Sequence, residues 1–245
     1  MIKYSVLTLA NKSYFKFLQI LVNSFLEKCD LSKVNNFFII DTGLTLDQLN
    51  YLKNKHNLIK IISSELQTDY KGGPWGKDWL SNVTNKTYFF SQLFEHIKSP
   101  LMMLDSDMMI TSDLYSLIKL GGDVQVCIRP NHTTKYIGSY CLALDYKKSN
   151  KFIYDWSQEV QSTNIKPPES PSLVKMVGKY KNELDIIEIN ESIVNEMDPN
   201  NVTDKTKIVH FKGSDLINDL EFQYNKRIDK RGWKSYVEKY LKDYV

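Results

Sequence analysis

The stretch YSVLTLANKSYFKFLQILVNSF, residues 4–25, changes its period halfway along. Tyr4–Ala10 is a β-prone run that reads as a buried strand. Asn11 and Ser13 then offer helix caps, and from Tyr14 onward Phe17, Leu18, Leu21, Val22 and Phe25 fall on one helical stripe. The same alternation recurs downstream. Residues 36–40 predict a second strand, halted by Asp41-Thr-Gly-Leu, Thr45 and Gln48 fit a capping box for a helix through Lys55, and Leu58–Ile62 predicts a third strand. Strand–helix–strand–helix–strand at this spacing implies parallel pairing, right-handed crossovers and helices on both faces. Such a sheet places ligands beyond the carboxyl ends of its strands.

Residues 63–82 break the rhythm. Gly72, Gly73 and Gly76 stand beside Pro74, Trp75 and Trp79, which predicts a long irregular loop. A helix is expected over 84–97, followed by a fourth strand, Leu101-Met-Met-Leu104, that runs into Asp105-Ser-Asp107. Further strands are expected at 123–128, 137–144, 184–189 and 207–211, with helices near 113–120, 148–161 and 171–181. The last seventeen residues predict an amphipathic helix with Trp233, Tyr236, Val237, Tyr240, Leu241 and Tyr244 on one side. No internal repeat or linker interrupts the chain, so one α/β domain is expected.

Composition narrows the function. Of 245 residues, 42% are hydrophobic and 25% charged, which excludes wholesale disorder. A net charge of +3 is too close to balance to favour nucleic acid as the main partner. Three scattered cysteines form neither a disulfide framework nor a thiolate zinc site. No uncharged apolar run approaches the roughly 18 residues a membrane span needs. Met1-Ile-Lys-Tyr-Ser-Val lacks a signal-peptide pattern, so a soluble, cytoplasmic chain is expected.

Asp105 and Asp107 carry the chemistry. Side chains two apart at a strand end project to the same side, and two like charges that close are costly unless a cation joins them. Hard oxygen ligands suit Mn²⁺ or Mg²⁺, with positions left for phosphate oxygens. A lone Asp-x-Asp is more often turn chemistry, and the buried strand before this one shifts the balance toward function. His210 ends another predicted strand and is a reasonable third ligand, although a lone histidine is more often structural. Lys212 and Gly213 follow it, the first able to meet phosphate charge and the second to admit close backbone approach. Glu169, between Pro167, Pro168 and Pro171, reads equally as a site carboxylate in a rigid loop and as a helix N-terminal charge. Trp75 and Trp79 are acceptor-side candidates, since aromatic faces stack on sugars and flexible loops close over reactive donors. Packing beneath the loop is the alternative for either ring.

These residues resemble the metal-dependent GT-A glycosyltransferases, in particular the glycogenin and lipopolysaccharide-galactosyltransferase group, family eight. The resemblance is carried by Leu7-Thr8-Leu9-Ala10-Asn11-Lys12-Ser13-Tyr14, Leu104-Asp105-Ser106-Asp107 and His210-Phe211-Lys212-Gly213, and it spans most of the chain. It implies a GT-A (Rossmann-like), mixed but mostly parallel sheet flanked by helices on both faces. Residues 1–225 would be the nucleotide-sugar-binding catalytic domain and 226–245 a basic amphipathic helix packed on it. Asp105, Asp107 and His210 would hold Mn²⁺ (or Mg²⁺) on a nucleotide diphosphate; Asp107 and, independently of the resemblance, Glu169 are the expected catalytic carboxylates. Asn11 and Tyr14 would contact the nucleoside, Tyr14 by stacking. Thr8 and Ala10 would meet base or ribose through backbone groups. Lys86, Ser106, Ser139, Lys212 and Gly213 would complete donor binding, Ser139 lying in Ile137-Gly-Ser-Tyr140 where the family has Asn-Ser-Gly.

Two stretches depart from the family pattern: Glu169-Ser170 replaces its Asp-Gln pair, and Leu216 stands where its closing lysine would be. The reaction implied is transfer of a hexose from a UDP-sugar to a glycan, protein or lipid acceptor, with retention. The competing classes are a non-catalytic nucleotide- or carbohydrate-binding module and sugar-nucleotide synthesis. Ala10-Asn-Lys-Ser lacks the glycine-rich loop usual in the latter. Residues 226–242 hold seven basic against two acidic side chains. Packing of the aromatic stripe with a solvated basic face is the favoured arrangement, and peripheral membrane contact is the other.

Overall fold

In the computed structural model, residues 2–66, 68, 77–130, 132, 134–211, 228 and 232–241 are described, the side chains of 77–79 excepted. The opening stretch folds as its period requires. Strand β1 (Tyr4–Ala10) is buried throughout and alternates between two cores. Tyr4, Val6 and Ala10 face one, Leu7 and Leu9 the other. Asn11 caps a single 3₁₀ turn, Lys12–Tyr14, and helix α1 (Phe15–Lys28) follows. Next come β2 (Val34–Asp41), α2 (Leu46–Lys55) and β3 (Ile59–Ser63). The capping box forms: the Gln48 N–H donates to Thr45 Oγ1 at 3.3 Å, and the Thr45 N–H to Gln48 Oε1 at 3.0 Å.

The remaining elements are α3 (Lys77–Ile97), β4 (Leu101–Leu104), β5 (Met108–Ile110), α4 (Tyr115–Leu120), β6 (Val124–Ile128), β7 (Tyr136–Ala143), α5 (Tyr146–Ser162), α6 (Glu169–Tyr180), β8 (Ile186–Asn190), α7 (Glu191–Val194) and β9 (Ile208–His210). The main sheet has seven strands in the order β3-β2-β1-β4-β7-β6-β8. It is parallel from β3 to β4 and again between β6 and β8, with β7 antiparallel to both its neighbours. Helices α1, α2 and α4 cover one face, and α3, α5 and α6 the other. This is a mostly parallel α/β sheet of Rossmann-like type.

Three expectations need correction, and an open one is decided. Helix α3 begins at Lys77, so Trp79 lies in a helix and not in the glycine-rich loop. Glu169 takes the second of its two expected settings and opens α6, because Pro168 and Pro171 fall in the first turn, where a missing N–H costs no helical bond. A short strand, β5, follows Asp107 and pairs antiparallel with β9 in a separate two-stranded ribbon. The tail, among the described residues, holds a helical turn at Lys234–Val237 and a 3₁₀ turn at Glu238–Tyr240 in place of one long helix. It starts just after Gly232, whose φ of 79° breaks helical geometry. Trp233, Val237 and Tyr240 are buried against Phe17 and Ile20 of α1 and Met109, Val209 and Phe211 of the ribbon. Tyr236 is exposed, and Tyr244 lies outside the described residues. No helix among the described residues is long and apolar enough to cross a membrane.

Candidate active site

Strand order reverses between β1 and β4: β2 lies on one side of β1, and β4, which follows β3 in the chain, on the other. The crevice beyond the carboxyl ends of β1 and β4 is the topological switch point where open α/β sheets bind ligands. Asp105 leaves β4 at this place, its N–H donating to the Ser139 carbonyl of β7 at 3.2 Å. The β5–β9 ribbon then brings the third residue back. Met108 pairs with His210 in register, and the Phe211 N–H donates to the Asp107 carbonyl at 2.9 Å. Two segments a hundred residues apart are thereby zipped together at the acidic pair.

His210 Nε2 lies 3.1 Å from Asp107 Oδ1 and 3.7 Å from Asp105 Oδ2. One ligand atom from each of Asp105, Asp107 and His210 can be chosen so that all lie within 4.8 Å of one another. Two carboxylate oxygens and an imidazole nitrogen match the donor preference of Mn²⁺ and, less closely, of Mg²⁺. Lys86, from α3, contacts Asp105 Oδ1 directly and sits 2.7 Å from Glu169 Oε1. Burial alone would depress its ammonium; Asp105 and then Glu169 outweigh burial and hold the Lys86 pKa above the ordinary lysine range. Among the described residues Lys86 is the lysine that pairs with Asp105 and Glu169, and the Asp105, Asp107 and His210 group is one that could hold a metal ion.

Glu169 is fixed at the opposite wall. Its carbonyl accepts from Trp156 Nε1 at 3.1 Å, and the next hydroxyl, Ser170 Oγ, accepts from the Gly138 N–H at 3.2 Å. Gly138 admits it: a Cβ there would lie 2.7 Å from the Glu169 Cβ. Helix α6 therefore approaches β7 closely because this position carries no side chain, and the carboxylate reaches Lys86 as a result.

At the end of β1, Thr8 and Ala10 are buried. Asn11 is buried too, and its side chain is used within the chain. Its oxygen accepts from the Ser13 and Tyr14 N–H groups at 3.1 and 3.3 Å, and its amide donates to the Thr68 carbonyl at 3.2 Å. Asn11 thus shapes the turn that carries Tyr14, a half-buried ring 5.9 Å from Phe17. Ser106 and Ser139 are buried beside the acidic pair. Lys212, Gly213 and Trp75 lie outside the described residues, as does the side chain of Trp79. Asn195 was not among the expected site residues, yet its Oδ1 meets both His210 Nδ1 and the Ser139 hydroxyl. In a chain rich in asparagine, nothing in its local sequence singles it out.

The fold has counterparts among solved glycosyltransferases. The bifunctional glycosyltransferase WbbM, in its apo form, is similar with a TM-score of 0.62 and 12% identity over 98% of this chain and 52% of that one. This chain therefore spans about half the length of WbbM. The galactosyltransferase LgtC, solved with donor and acceptor sugar analogues, is similar with a TM-score of 0.58 and 14% identity over 92% of this chain and 95% of that one. At these identities the likeness establishes the fold. No protein-family model and no curated protein sequence matches the chain.

Proposed function

We propose that this chain is a metal-dependent GT-A-type glycosyltransferase that moves a hexose from a UDP-sugar to a glycan, protein or lipid acceptor with retention. The observation that carries the reading is the convergence of Asp105, Asp107 and His210 at the switch-point crevice. The shared fold with WbbM and LgtC supports it. Asp105, Asp107 and His210 would hold Mn²⁺ or Mg²⁺, which when bound supplies charge neutralisation and Lewis acidity at the diphosphate. Lys86 keeps a fixed positive charge between Asp105 and Glu169, where it orients both carboxylates and faces the donor. Glu169 is the carboxylate placed to contact the donor sugar or the acceptor hydroxyl. The backbone of Thr8 and Ala10 and the ring of Tyr14 form the nucleoside wall, with Asn11 holding the turn and Ser106 and Ser139 lining the donor side. Lys212 and Gly213 are assigned to the phosphates, and Trp75 and Trp79 to the acceptor side.

The test is UDP release from a panel of nucleotide sugars with Mn²⁺, run beside Asp107→Ala. The parent protein should turn over at least one UDP-sugar, and the variant none while remaining folded. Absence of turnover for every donor, with nucleotide binding intact, would assign the chain to the non-catalytic class.

A further inference from the structure

His210 meets the aspartates through one ring nitrogen, and its other ring nitrogen has an equally defined neighbour. Nδ1 lies 2.7 Å from Oδ1 of Asn195, and the Ser139 hydroxyl donates to that same oxygen at 2.8 Å. Asn195, Ser139 and His210 are all at most 3% exposed. An amide oxygen only accepts, so a hydrogen held on Nδ1 satisfies Asn195 Oδ1 and leaves Nε2, the nitrogen facing Asp105 and Asp107, able to ligate a cation; with no cation present the same carboxylates compete as acceptors for a hydrogen on Nε2. The Asn195 amide nitrogen has no partner among the described residues, so this side chain acts through its oxygen.

The backbone reinforces the arrangement. Asn195 ends α7, its N–H donating to the Glu191 carbonyl at 2.7 Å. The next residue, Glu196, forms a parallel bridge with Val209 and accepts from the His210 N–H at 2.8 Å. Ser139, which holds the same oxygen, also supplies the carbonyl that anchors Asp105. One buried amide oxygen therefore links the strand segment that fixes Asp105 to the ring that completes the ligand set.

We infer that Asn195 is a positioning residue of the cation centre: its Oδ1 keeps His210 in the Nδ1–H tautomer with Nε2 directed at the aspartates, and Ser139 steadies that oxygen. The inference rests on reading Asp105, Asp107 and His210 as cation ligands. Hydrogen-bond partners of a metal-bound histidine set its tautomer and ring orientation, and their loss typically weakens metal binding by about 10–100-fold.

Mn²⁺ titration of the full chain, followed by the electron paramagnetic resonance signal of the free ion, separates the two readings. The parent should bind, and Asn195→Ala should bind about 10–100-fold more weakly. Asn195→Asp, which keeps an acceptor oxygen, should restore binding toward the parent value, and Ser139→Ala should fall between. Thermal unfolding in chelator identifies any variant that fails to fold. In chelator at alkaline pH, where no metal sets the tautomer, ¹⁵N–¹H correlation spectra of the parent should show the His210 proton on Nδ1, a readout that a purely structural asparagine would not determine. A proton on Nε2 there, or parent-like affinity in Asn195→Ala, overturns the inference. If Asn195→Ala does not fold, Ser139→Ala, Asn195→Asp and the tautomer measurement still decide it. A parent that binds no Mn²⁺ overturns the cation-site reading itself.

Discussion

Gly138→Ala isolates the geometry of Glu169 from its chemistry. The added Cβ would sit 2.7 Å from the Glu169 Cβ, with the Glu169 carboxyl carbon 3.5 Å away. Carbon atoms rest at about 3.5–4.0 Å, so relief requires a shift of roughly 1 Å in the start of α6. That shift acts on a carboxylate held 2.7 Å from Lys86 and on the 3.1 Å bond from Trp156 to the Glu169 carbonyl. Misplacing a catalytic group by about 1 Å costs on the order of 100-fold in rate, or about 2.7 kcal/mol. Overpacking itself costs about 1–3 kcal/mol of stability. The assay is kcat/KM for UDP release, with unfolding midpoints measured in parallel. Gly178→Ala is the control, since it lies in the same helix and its Cβ would meet nothing within 4 Å. It should leave activity unchanged and add about 0.5–1 kcal/mol of stability. A Gly138→Ala variant with parent-like kcat/KM would show that the position of Glu169 does not matter to the reaction.

Asp105→Ala and Asp107→Ala should each abolish turnover and most Mn²⁺-dependent UDP binding, with circular dichroism spectra unchanged. Loss of folding in both would point to a structural role for the pair. Lys86→Met removes the cation shared by Asp105 and Glu169, and breaking a buried pair costs about 3–5 kcal/mol. Adding Glu169→Gln should recover part of that loss, and an additive double variant in denaturant titration argues against the coupling. Asp155 offers a pH test away from the site. Burial raises its pKa, but Lys179, Tyr180 and Lys151 outweigh burial and lower it to about 2. A depressed carboxylate stabilises above its unfolded pKa, so the difference between parent and Asp155→Asn should be constant at neutral pH and vanish as pH falls from about 4 through about 2. Its size should be on the order of 1–2 kcal/mol after screening at the exposed lysine ends; a difference undiminished on going from neutral pH to pH 2 contradicts the assignment.

The first half of the sheet was legible because parallel strands buried on both faces leave near-continuous apolar runs, and because Thr45 and Gln48 mark a helix start chemically. The ribbon was not. Met108-Met109-Ile110 is too short an apolar run to declare a strand, and its pairing with Ile208–His210 is a long-range event with no local signature. That pairing is what makes Asp105, Asp107 and His210 neighbours, so His210 as a candidate third ligand was reached through the family resemblance more than through spacing. For Glu169 the sequence left a rigid loop and a helix start equally open, because prolines interrupt helices in general, whereas those at a helix start do not. Gly138 and Asn195 were invisible for different reasons. The first matters through an approach between α6 and β7, and the second through a hydrogen bond formed only once α7 and β9 lie side by side.

The centre itself is tested most directly by locating the ion. Crystals grown with Mn²⁺ and UDP, measured at a wavelength where manganese scatters anomalously, should show a peak roughly 2.0–2.3 Å from a carboxylate oxygen of Asp105, one of Asp107 and Nε2 of His210. A manganese peak bound elsewhere, with His210 still turned to Asp107 and no density between them, would contradict the account.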